Sequence, residues 1–234
     1  MAAPLDGKLA LVTGASKGIG QAIAEQLAAR GATVIAAARS LEGRVLADRR
    51  VPGVIPVTLD VCSESAVDAL FAEVQSKLGP LDVLVNNAGV GVFKPTIELS
   101  LDEWNQVIGT NLTGAFLCAR AAFRQMKAAG GRIIHIGSIA DHVNLSGCAA
   151  YGASKFGLRG LSGVINEDGK EHGVRSTLIS VGATYTHIWE GREEFDASDM
   201  LSPADVADTV ADVASKGLGI RIDELRILPP QGVL

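Results

Sequence analysis

The stretch "VTGASKGIGQAIA" (12–24) places a glycine-rich turn between a short apolar run and an amphipathic helical pattern. Its three glycines let the backbone turn tightly and let a ligand approach the start of the helix. Free N–H groups and the helix dipole favour an anion there, such as the diphosphate of a dinucleotide. The alternative is a glycine-rich turn without a ligand, because such motifs have many false positives. The turn residues are the first predicted cofactor contacts: Gly14, Ser16, Lys17, Gly18, Ile19 and Gly20.

Outward from this turn, apolar strand-like runs alternate with helical patterns. Strands are predicted at 8–13, 32–38, 54–59, 81–87, 131–138, 174–180 and 224–228. A short helix is expected around 40–49 and a long one over roughly 100–128. Apolar strands that alternate with helices predict buried parallel strands joined by right-handed crossovers. We therefore expect one α/β domain over 1–234, a doubly wound, Rossmann-type sheet of about seven parallel strands with helices on both faces.

Composition excludes several kinds of partner. The formal net charge of −5 argues against nucleic acid or an anionic membrane. The three cysteines have neither CxxC spacing nor the pattern of a disulfide frame, and no group of residues has the spacing of metal ligands. No apolar run approaches the ~18 residues of a membrane span, and the N-terminal stretch has no apolar signal core. We expect a cytoplasmic protein without a metal.

The end of the second predicted strand favours NADP over NAD. In dinucleotide folds an acidic residue at this place binds the ribose 2′-hydroxyl of NAD. Here the strand ends in Ala38, followed by Arg39 and Ser40, and Lys17 lies in the glycine turn. Two cations without a carboxylate suit a 2′-phosphate. The alternative is that Arg39 stacks on adenine or faces solvent.

A tyrosine and a lysine share one helix face in "AAYGASKFGL" (149–158), where Tyr151 and Lys155 stand at i and i+4. Tyrosine is normally a poor acid–base group near neutral pH. A nearby ammonium stabilises the phenolate, which lets the phenol exchange a proton with a carbonyl or alcohol oxygen. Alone, the pair is more typical of an ordinary helix. However, Ser138 ends the fifth strand, at the edge of the sheet where ligands gather.

The combination of motifs resembles the short-chain dehydrogenase/reductase family over residues 7–228. The motifs "TGASKGIG", "NNAG" and "YGASK" occur in order, with Asn111 and Ser138 at suitable separations. The resemblance implies that Tyr151 is the acid–base, Ser138 holds the carbonyl oxygen and Lys155 assists Tyr151 while gripping the nicotinamide ribose. Asn111 would place a water in a proton relay to Lys155. Further implied cofactor contacts are Asp60, Val61, Asn87, Ala88, Gly89, Gly182, Thr184 and Thr186.

One departure from the family pattern follows the sixth strand. The family usually has a Pro-Gly pair there, but this chain has Val181 and Gly182. Loss of the proline is expected to loosen the entry to segment 183–200, which we expect to be a lid over the site. Within that segment, His187 and Trp189 are candidates to fold over the pocket.

These features predict an NADP(H)-dependent oxidoreductase that transfers hydride between a nicotinamide and a carbonyl or secondary alcohol. The expected partner is a small ketone, aldehyde or hydroxy compound, and the expected assembly is a homodimer or homotetramer. Alternatives are a 3-oxoacyl thioester reductase of the same family and a catalytically inactive, dinucleotide-sensing binding protein. The C-terminal stretch "RIDELRILPPQGVL" (221–234) lacks the glycine-rich ending common in acyl-carrier-protein reductases. The inactive protein is disfavoured because both Tyr151 and Lys155 are present.

Overall fold

The computed structural model describes residues 3–41, 52–186 and 196–233. The helix predicted around 40–49 falls almost entirely outside the described residues, as do His187, Trp189 and the rest of 187–195 in the expected lid. The seven strands lie close to their predicted bounds. They are β1 (Leu9–Thr13), β2 (Thr33–Ala38), β3 (Gly53–Thr58), β4 (Val83–Asn86), β5 (Gly131–Ile136), β6 (Val174–Val181) and β7 (Glu224–Ile227).

All strand pairs are parallel, and the order across the sheet is β3-β2-β1-β4-β5-β6-β7. The chain starts in the middle of the sheet, builds outward to β3, and then crosses back to β4 on the other side of β1. This reversal between β1 and β4 creates a crevice at the carboxyl ends of the strands, where ligands bind in such sheets. The predicted doubly wound fold is confirmed, with β7 at an edge.

Helices cover both faces of the sheet because alternate strand residues are apolar on each side. Leu9 and Leu11 of β1 belong to one buried cluster, whereas Ala10 and Val12 belong to the other. The helices are α1 (Gly18–Ala29), α2 (Glu64–Leu78), α3 (Leu101–Ile108), α4 (Ala115–Met126), α5 (Ala149–Asp168) and α6 (Pro203–Ala214). The first cluster includes residues of α2, α4 and α5, and the second includes residues of α1 and α6.

The long helix predicted over 100–128 is interrupted at its centre. A π-helical turn at Gly109–Gly114 separates α3 from α4 and contains Asn111. This is the local disruption that an asparagine inside a helix leads one to expect, and π-turns often mark functional positions.

Within the described ranges, no helix is long and apolar enough to cross a membrane. The same residues contain no group of three or more His, Cys, Asp or Glu side chains arranged to hold a metal ion.

Candidate active site

The predicted site residues gather along the carboxyl edge of the sheet. The glycine turn follows β1, Arg39 follows β2, and Asp60 follows β3. Asn87 follows β4, Ser138 follows β5, and Gly182 follows β6. Helix α5, which packs on one face of the sheet, supplies Tyr151 and Lys155. The topology therefore brings motifs from the whole chain to one edge.

The glycine turn is packed closely against the loop after β4. Gly14 has a φ of +65°, and a Cβ on it would lie 2.7 Å from the Cα of Ala88. A Cβ on Gly20 would lie 2.3 Å from both the Asn87 Nδ2 and the Gly14 carbonyl oxygen. Neither position can accept a side chain without displacing backbone, so these glycines keep the two loops in contact.

Asn87 and Thr13 join the same two loops. The Asn87 side chain donates to the carbonyl oxygens of Thr13 (2.9 Å) and Gly14 (3.1 Å). The Thr13 hydroxyl accepts from the backbone N–H groups of Asn87 (3.0 Å) and Ala88 (3.1 Å). Sequence reasoning missed Thr13, although it is the only polar residue of β1 and stands at its carboxyl end. Asn87 contributes its amide to the protein scaffold at this place.

The start of α1 offers free N–H groups. Helices α2, α3 and α6 begin with capping serines and have acidic residues in their first turns. In contrast, α1 and α5 have neither a side-chain cap nor an acidic residue there. The first N–H groups of α1 therefore have no side-chain acceptor, as an anion site requires. Within the glycine turn, Ile19 packs against the core of the α1 face.

The corner at the end of β2 carries two exposed cations. Ala38 is buried, whereas Arg39 and Ser40 are exposed, as is Lys17 at the N-cap of α1. The backbone N–H of Ala15 donates to the carbonyl oxygen of Ala37 (3.2 Å), which places the glycine turn beside β2. The described residues at this corner include no carboxylate directly after β2.

Asp60 and Val61, the predicted cofactor contacts after β3, differ in exposure. Asp60 is exposed and its Oδ1 accepts from the backbone N–H of Cys62 (2.9 Å). Val61 is buried and packs beside Gly114, where an added Cβ would lie 2.7 Å from its side chain. The apolar side of this corner is therefore continuous with the π-turn.

Lys155 is held between Tyr151 and the end of β5. Its side chain is buried, and Nζ donates to the carbonyl oxygen of Ile136 at 2.8 Å. Nζ also lies 5.5 Å from the centroid of the Tyr151 ring. The Tyr151 ring also packs against Phe93, with ring centroids 5.4 Å apart. The predicted pair is therefore brought together, with Phe93 as an apolar wall.

Asn111 connects the loop after β4 to α5. Its Oδ1 accepts from the Val90 N–H (2.8 Å), while Nδ2 donates to the Val90 carbonyl oxygen (2.9 Å) and to Ser154 Oγ (3.0 Å). Ser154 in turn donates to the carbonyl oxygen of Tyr151 (2.7 Å). Asn111 is fully buried, so its side chain works through these contacts.

Ser138 is half-buried and caps a short 3-10 turn, Ile139–Asp141. Its Oγ accepts from the backbone N–H of Ala140 (3.2 Å). Because this contact uses an oxygen lone pair, the hydroxyl proton remains available to donate.

The segment after β6 is attached to neighbouring elements. Val181 continues β6 in register with Ile227, and Gly182 donates its N–H to the Ile227 carbonyl oxygen (2.9 Å). Thr184 is buried, and its hydroxyl donates to the Gly182 carbonyl oxygen (3.1 Å). Thr186 is half-buried. Val181, which stands where the family usually has a proline, is therefore the last residue of β6, and the next residue is hydrogen-bonded to β7.

The loop after β4 and the loop after β5 are joined to each other. The backbone N–H of Lys94 donates to the Gly147 carbonyl oxygen (3.0 Å). A cavity of about 570 Å³ lies between these loops and the side of α5 that carries Gly152, Ala153 and Phe156. Tyr151 and Lys155 do not line it. This cavity is therefore next to the Tyr–Lys pair but on a different face of the helix.

His135 lies within β5. It is fully buried, and its Nδ1 lies 3.4 Å from the side-chain amide nitrogen of Asn86. Burial, together with the nearby charge of Lys155, lowers the pKa of His135 to about 3. The imidazole is therefore neutral in the folded protein at neutral pH.

A doubly wound parallel sheet with a glycine turn at its switch point is the architecture of dinucleotide-binding proteins. Comparison with known proteins gives the family. Residues 8–197 match the family model described as short chain dehydrogenase. A 3beta-hydroxysteroid dehydrogenase of Mediterraneibacter gnavus is 39% identical over 217 residues, which cover 91% of this chain and 75% of that protein.

Further relatives agree. The 3-oxoacyl-acyl-carrier-protein reductase of Escherichia coli is 35% identical over 221 residues, which cover 90% of this chain and 91% of that protein. The crystal structure of a metagenomic short-chain oxidoreductase in complex with NADP is 34% identical, with a TM-score of 0.82 over 97% of this chain and 98% of that one. The chain belongs to the short-chain dehydrogenase/reductase family. It is an oxidoreductase that acts on CH–OH or C=O groups.

Proposed function

We propose that this protein is an NADP(H)-dependent carbonyl reductase or alcohol dehydrogenase for small molecules, with Tyr151 as its acid–base. The observation that carries the proposal is the placement of Lys155, with Nζ on the Ile136 carbonyl oxygen and 5.5 Å from the Tyr151 ring. That contact ties the acid–base candidate to the strand end that presents Ser138.

The proton chemistry follows from these positions. Tyr151 Oη donates a proton to the carbonyl oxygen of the substrate in reduction and accepts one from the alcohol in oxidation. Ser138 donates its free hydroxyl proton to the same oxygen and so stabilises the charge that develops there. Lys155 keeps two N–H donors beyond the one given to Ile136, and these are available to Tyr151 and to a ribose hydroxyl.

Asn111 has a supporting role in this proposal. Both of its amide hydrogens are already donated, to Val90 and Ser154. A water in the expected proton relay to Lys155 would therefore be bound by an acceptor oxygen of this residue. Through Val90 and Ser154, Asn111 also fixes the loop after β4 against the turn of α5 that carries Tyr151.

The cofactor fits the chain's own residues. NADP, when bound, supplies or accepts the hydride. The uncapped start of α1 and the glycine turn suit its diphosphate, and exposed Lys17 and Arg39 suit its 2′-phosphate. The neighbouring structure that contains NADP supports this choice. We assign the whole chain, 1–234, to one such domain, active in the cytoplasm as a homodimer or homotetramer.

A 3-oxoacyl thioester reductase is the second candidate, and the relative from Escherichia coli favours it because the match covers 91% of that protein. Two assays separate the two: NADPH oxidation over ketones, keto esters and a 3-oxoacyl N-acetylcysteamine thioester, and NADP+ reduction over hydroxy acids. Turnover of simple ketones well above that of the thioester supports the carbonyl reductase. The opposite ranking supports the thioester reductase. Absence of turnover across the panel, with NADPH bound, would contradict both.

A further inference from the structure

A fully buried carboxylate lies behind Ser138. Asp141 ends the 3-10 turn that follows β5 and has 0% of its surface exposed. Both of its oxygens accept from Ser180 Oγ on β6, each at 2.8 Å. Because burying a carboxylate is unfavourable unless it is hydrogen-bonded, this side chain depends on its donors.

Asp141 and Ser138 form a reciprocal capping pair. The Ser138 backbone N–H donates to Asp141 Oδ2 at 3.0 Å, while Ser138 Oγ accepts from the Ala140 N–H. The carboxylate also packs against Gly137, the residue before Ser138, since a Cβ on Gly137 would lie 2.3 Å from Asp141 Oδ2. The carboxylate thus contacts the backbone at Gly137 and Ser138, while the Ser138 side chain is bonded to the backbone of the turn.

The pair is anchored to the outer part of the fold. Asp141 is hydrogen-bonded to His142 Nδ1, and His142 Nε2 lies 3.4 Å from Glu224 on β7. Glu224 is also bonded to Arg159 of α5 at 2.6 Å. The Arg159 hydrogen bond is the main reason that the pKa of Glu224 is lowered. These contacts link the turn to β6, β7 and α5.

We propose that Asp141 is a positioning residue, which acts through Ser138 by fixing the turn that aims the Ser138 hydroxyl at the substrate oxygen. This proposal rests on the proposed role of Ser138. Asp141 cannot touch substrate itself, because it is completely buried. Asp141 should therefore affect kcat only when residue 138 carries a hydroxyl group.

A double-mutant cycle tests this directly. Ser138→Ala should lower kcat by about 10²–10³, as for loss of one donor to a developing oxyanion. Asp141→Ala should lower kcat by about 10- to 100-fold, the effect of a misplaced catalytic group. In the Ser138→Ala background, Asp141→Ala should cost about twofold or less, because coupled residues are not additive. Asp141→Asn, which keeps an acceptor for the Ser138 N–H, should recover part of the loss.

Two further measurements separate positioning from general damage. NADPH affinity, followed by nucleotide fluorescence, should be nearly unchanged in Asp141→Asn. Asp82→Ala is the matched control, because Asp82 accepts from the Leu9 N–H (2.9 Å) and Lys8 Nζ (3.0 Å) at the opposite edge of the sheet. It should lower thermal stability without changing kcat.

The outcomes are distinguishable. An equal loss of kcat from Asp141→Ala with and without the Ser138 hydroxyl overturns the positioning role and leaves the proposed function intact. A loss of kcat in Asp82→Ala as large as that in Asp141→Ala, at a similar loss of thermal stability, overturns it as well. Wild-type turnover in Ser138→Ala overturns the role of Ser138 and, with it, this proposal.

Discussion

Lys155 and Tyr151 are adjacent on one face of α5, with the lysine Nζ 5.5 Å from the centroid of the tyrosine ring. The same Nζ donates to the Ile136 carbonyl oxygen, two residues before Ser138. A single ammonium therefore links the helix of the acid–base candidate to the strand end of the substrate-binding candidate. The roles of the Tyr151 and Ser138 hydroxyl groups can therefore be tested separately.

Replacement of Tyr151 by phenylalanine removes the phenol hydroxyl and keeps the ring, which lies near both Phe93 and Lys155. We expect kcat to fall by about 10²–10⁴, the usual share of general acid–base catalysis. NADPH affinity and thermal stability should change little, because the packing is kept. Steady-state kinetics and nucleotide fluorescence measure the two effects. Tyr185→Phe, at an exposed tyrosine, is the matched control. Near-normal turnover in Tyr151→Phe would refute the assignment.

Gly20→Ala tests the close contact between the glycine turn and the loop after β4. The new Cβ would lie 2.3 Å from Asn87 Nδ2 and from the Gly14 carbonyl oxygen. We expect a loss of about 1–3 kcal/mol in the free energy of unfolding, as for other overpacked sites, and weaker NADPH binding. Chemical denaturation and fluorescence titration measure these quantities.

Gly217→Ala is the control for the glycine substitution, since a Cβ there meets nothing within 4 Å. Its free energy of unfolding should stay within about 0.5 kcal/mol of wild type, as for surface changes away from special features. If the two variants behave alike, the contact with Asn87 does not constrain the turn.

The sequence predicted the sheet well and its polar connections poorly. Buried strands appear in the sequence as apolar runs bounded by glycines and prolines. The strands β1 to β7 therefore lie close to their predicted bounds. Thr13 and Asp141 carried no signal, because periodicity shows which residues are buried and not which distant atoms they bond. The pairing of Val181 with Ile227 was not predictable either, because it depends on a strand far away in sequence.

In the site, too, local geometry was predictable and contacts between distant residues were not. Tyr151 and Lys155 were predictable as neighbours because a helix fixes the geometry of i and i+4 residues. The expectation that Asn87 lines the cofactor stays a prediction, and its hydrogen bonds from Nδ2 to the carbonyl oxygens of Thr13 and Gly14 were not foreseen. That orientation follows from the order of β1 and β4 in the sheet, which no local pattern contains.

His135 gives the folded protein a predictable sensitivity to acid. Its pKa is about 3 in the folded chain, against an ordinary value of about 6.5. The unfolded chain therefore binds a proton below pH ~6.5 that the folded chain refuses, so stability is present above that pH and declines as pH falls towards 3. Between pH 7.5 and 5.0 this one group should remove about 2 kcal/mol from the free energy of unfolding.

His135→Asn isolates this contribution, because asparagine can still accept from the Asn86 amide but does not titrate. Urea denaturation of both proteins at pH 7.5 and 5.0 gives the comparison. The wild type should lose about 2 kcal/mol more than the variant over this interval. Parallel losses would show that His135 is protonated in the folded protein or contributes nothing to the acid sensitivity.

Cofactor choice depends on the corner at the end of β2, where NADP differs from NAD by a dianionic 2′-phosphate. Arg39 is exposed beside the buried Ala38, and its planar fork suits phosphate oxygens. A charge-assisted hydrogen bond contributes about 1.5–3 kcal/mol, so Arg39→Ala should lower the preference for NADPH by about 10- to 100-fold. NADH turnover should remain nearly unchanged, because NADH carries no phosphate at that position.

Ala38→Asp extends the same argument in the opposite direction. A carboxylate at this place repels the 2′-phosphate of NADPH and can accept hydrogen bonds from the ribose hydroxyls of NADH. The preference for NADPH over NADH should therefore reverse. The measurement is kcat/KM for both cofactors with one shared substrate. Arg124→Ala, an exposed arginine on α4 that is ion-paired with Asp68, is the matched control and should leave both values unchanged. A wild-type preference for NADH, or unchanged discrimination between the cofactors in Arg39→Ala, would contradict the proposal. Either result would mean that the Arg39 guanidinium does not bind the 2′-phosphate and only faces solvent.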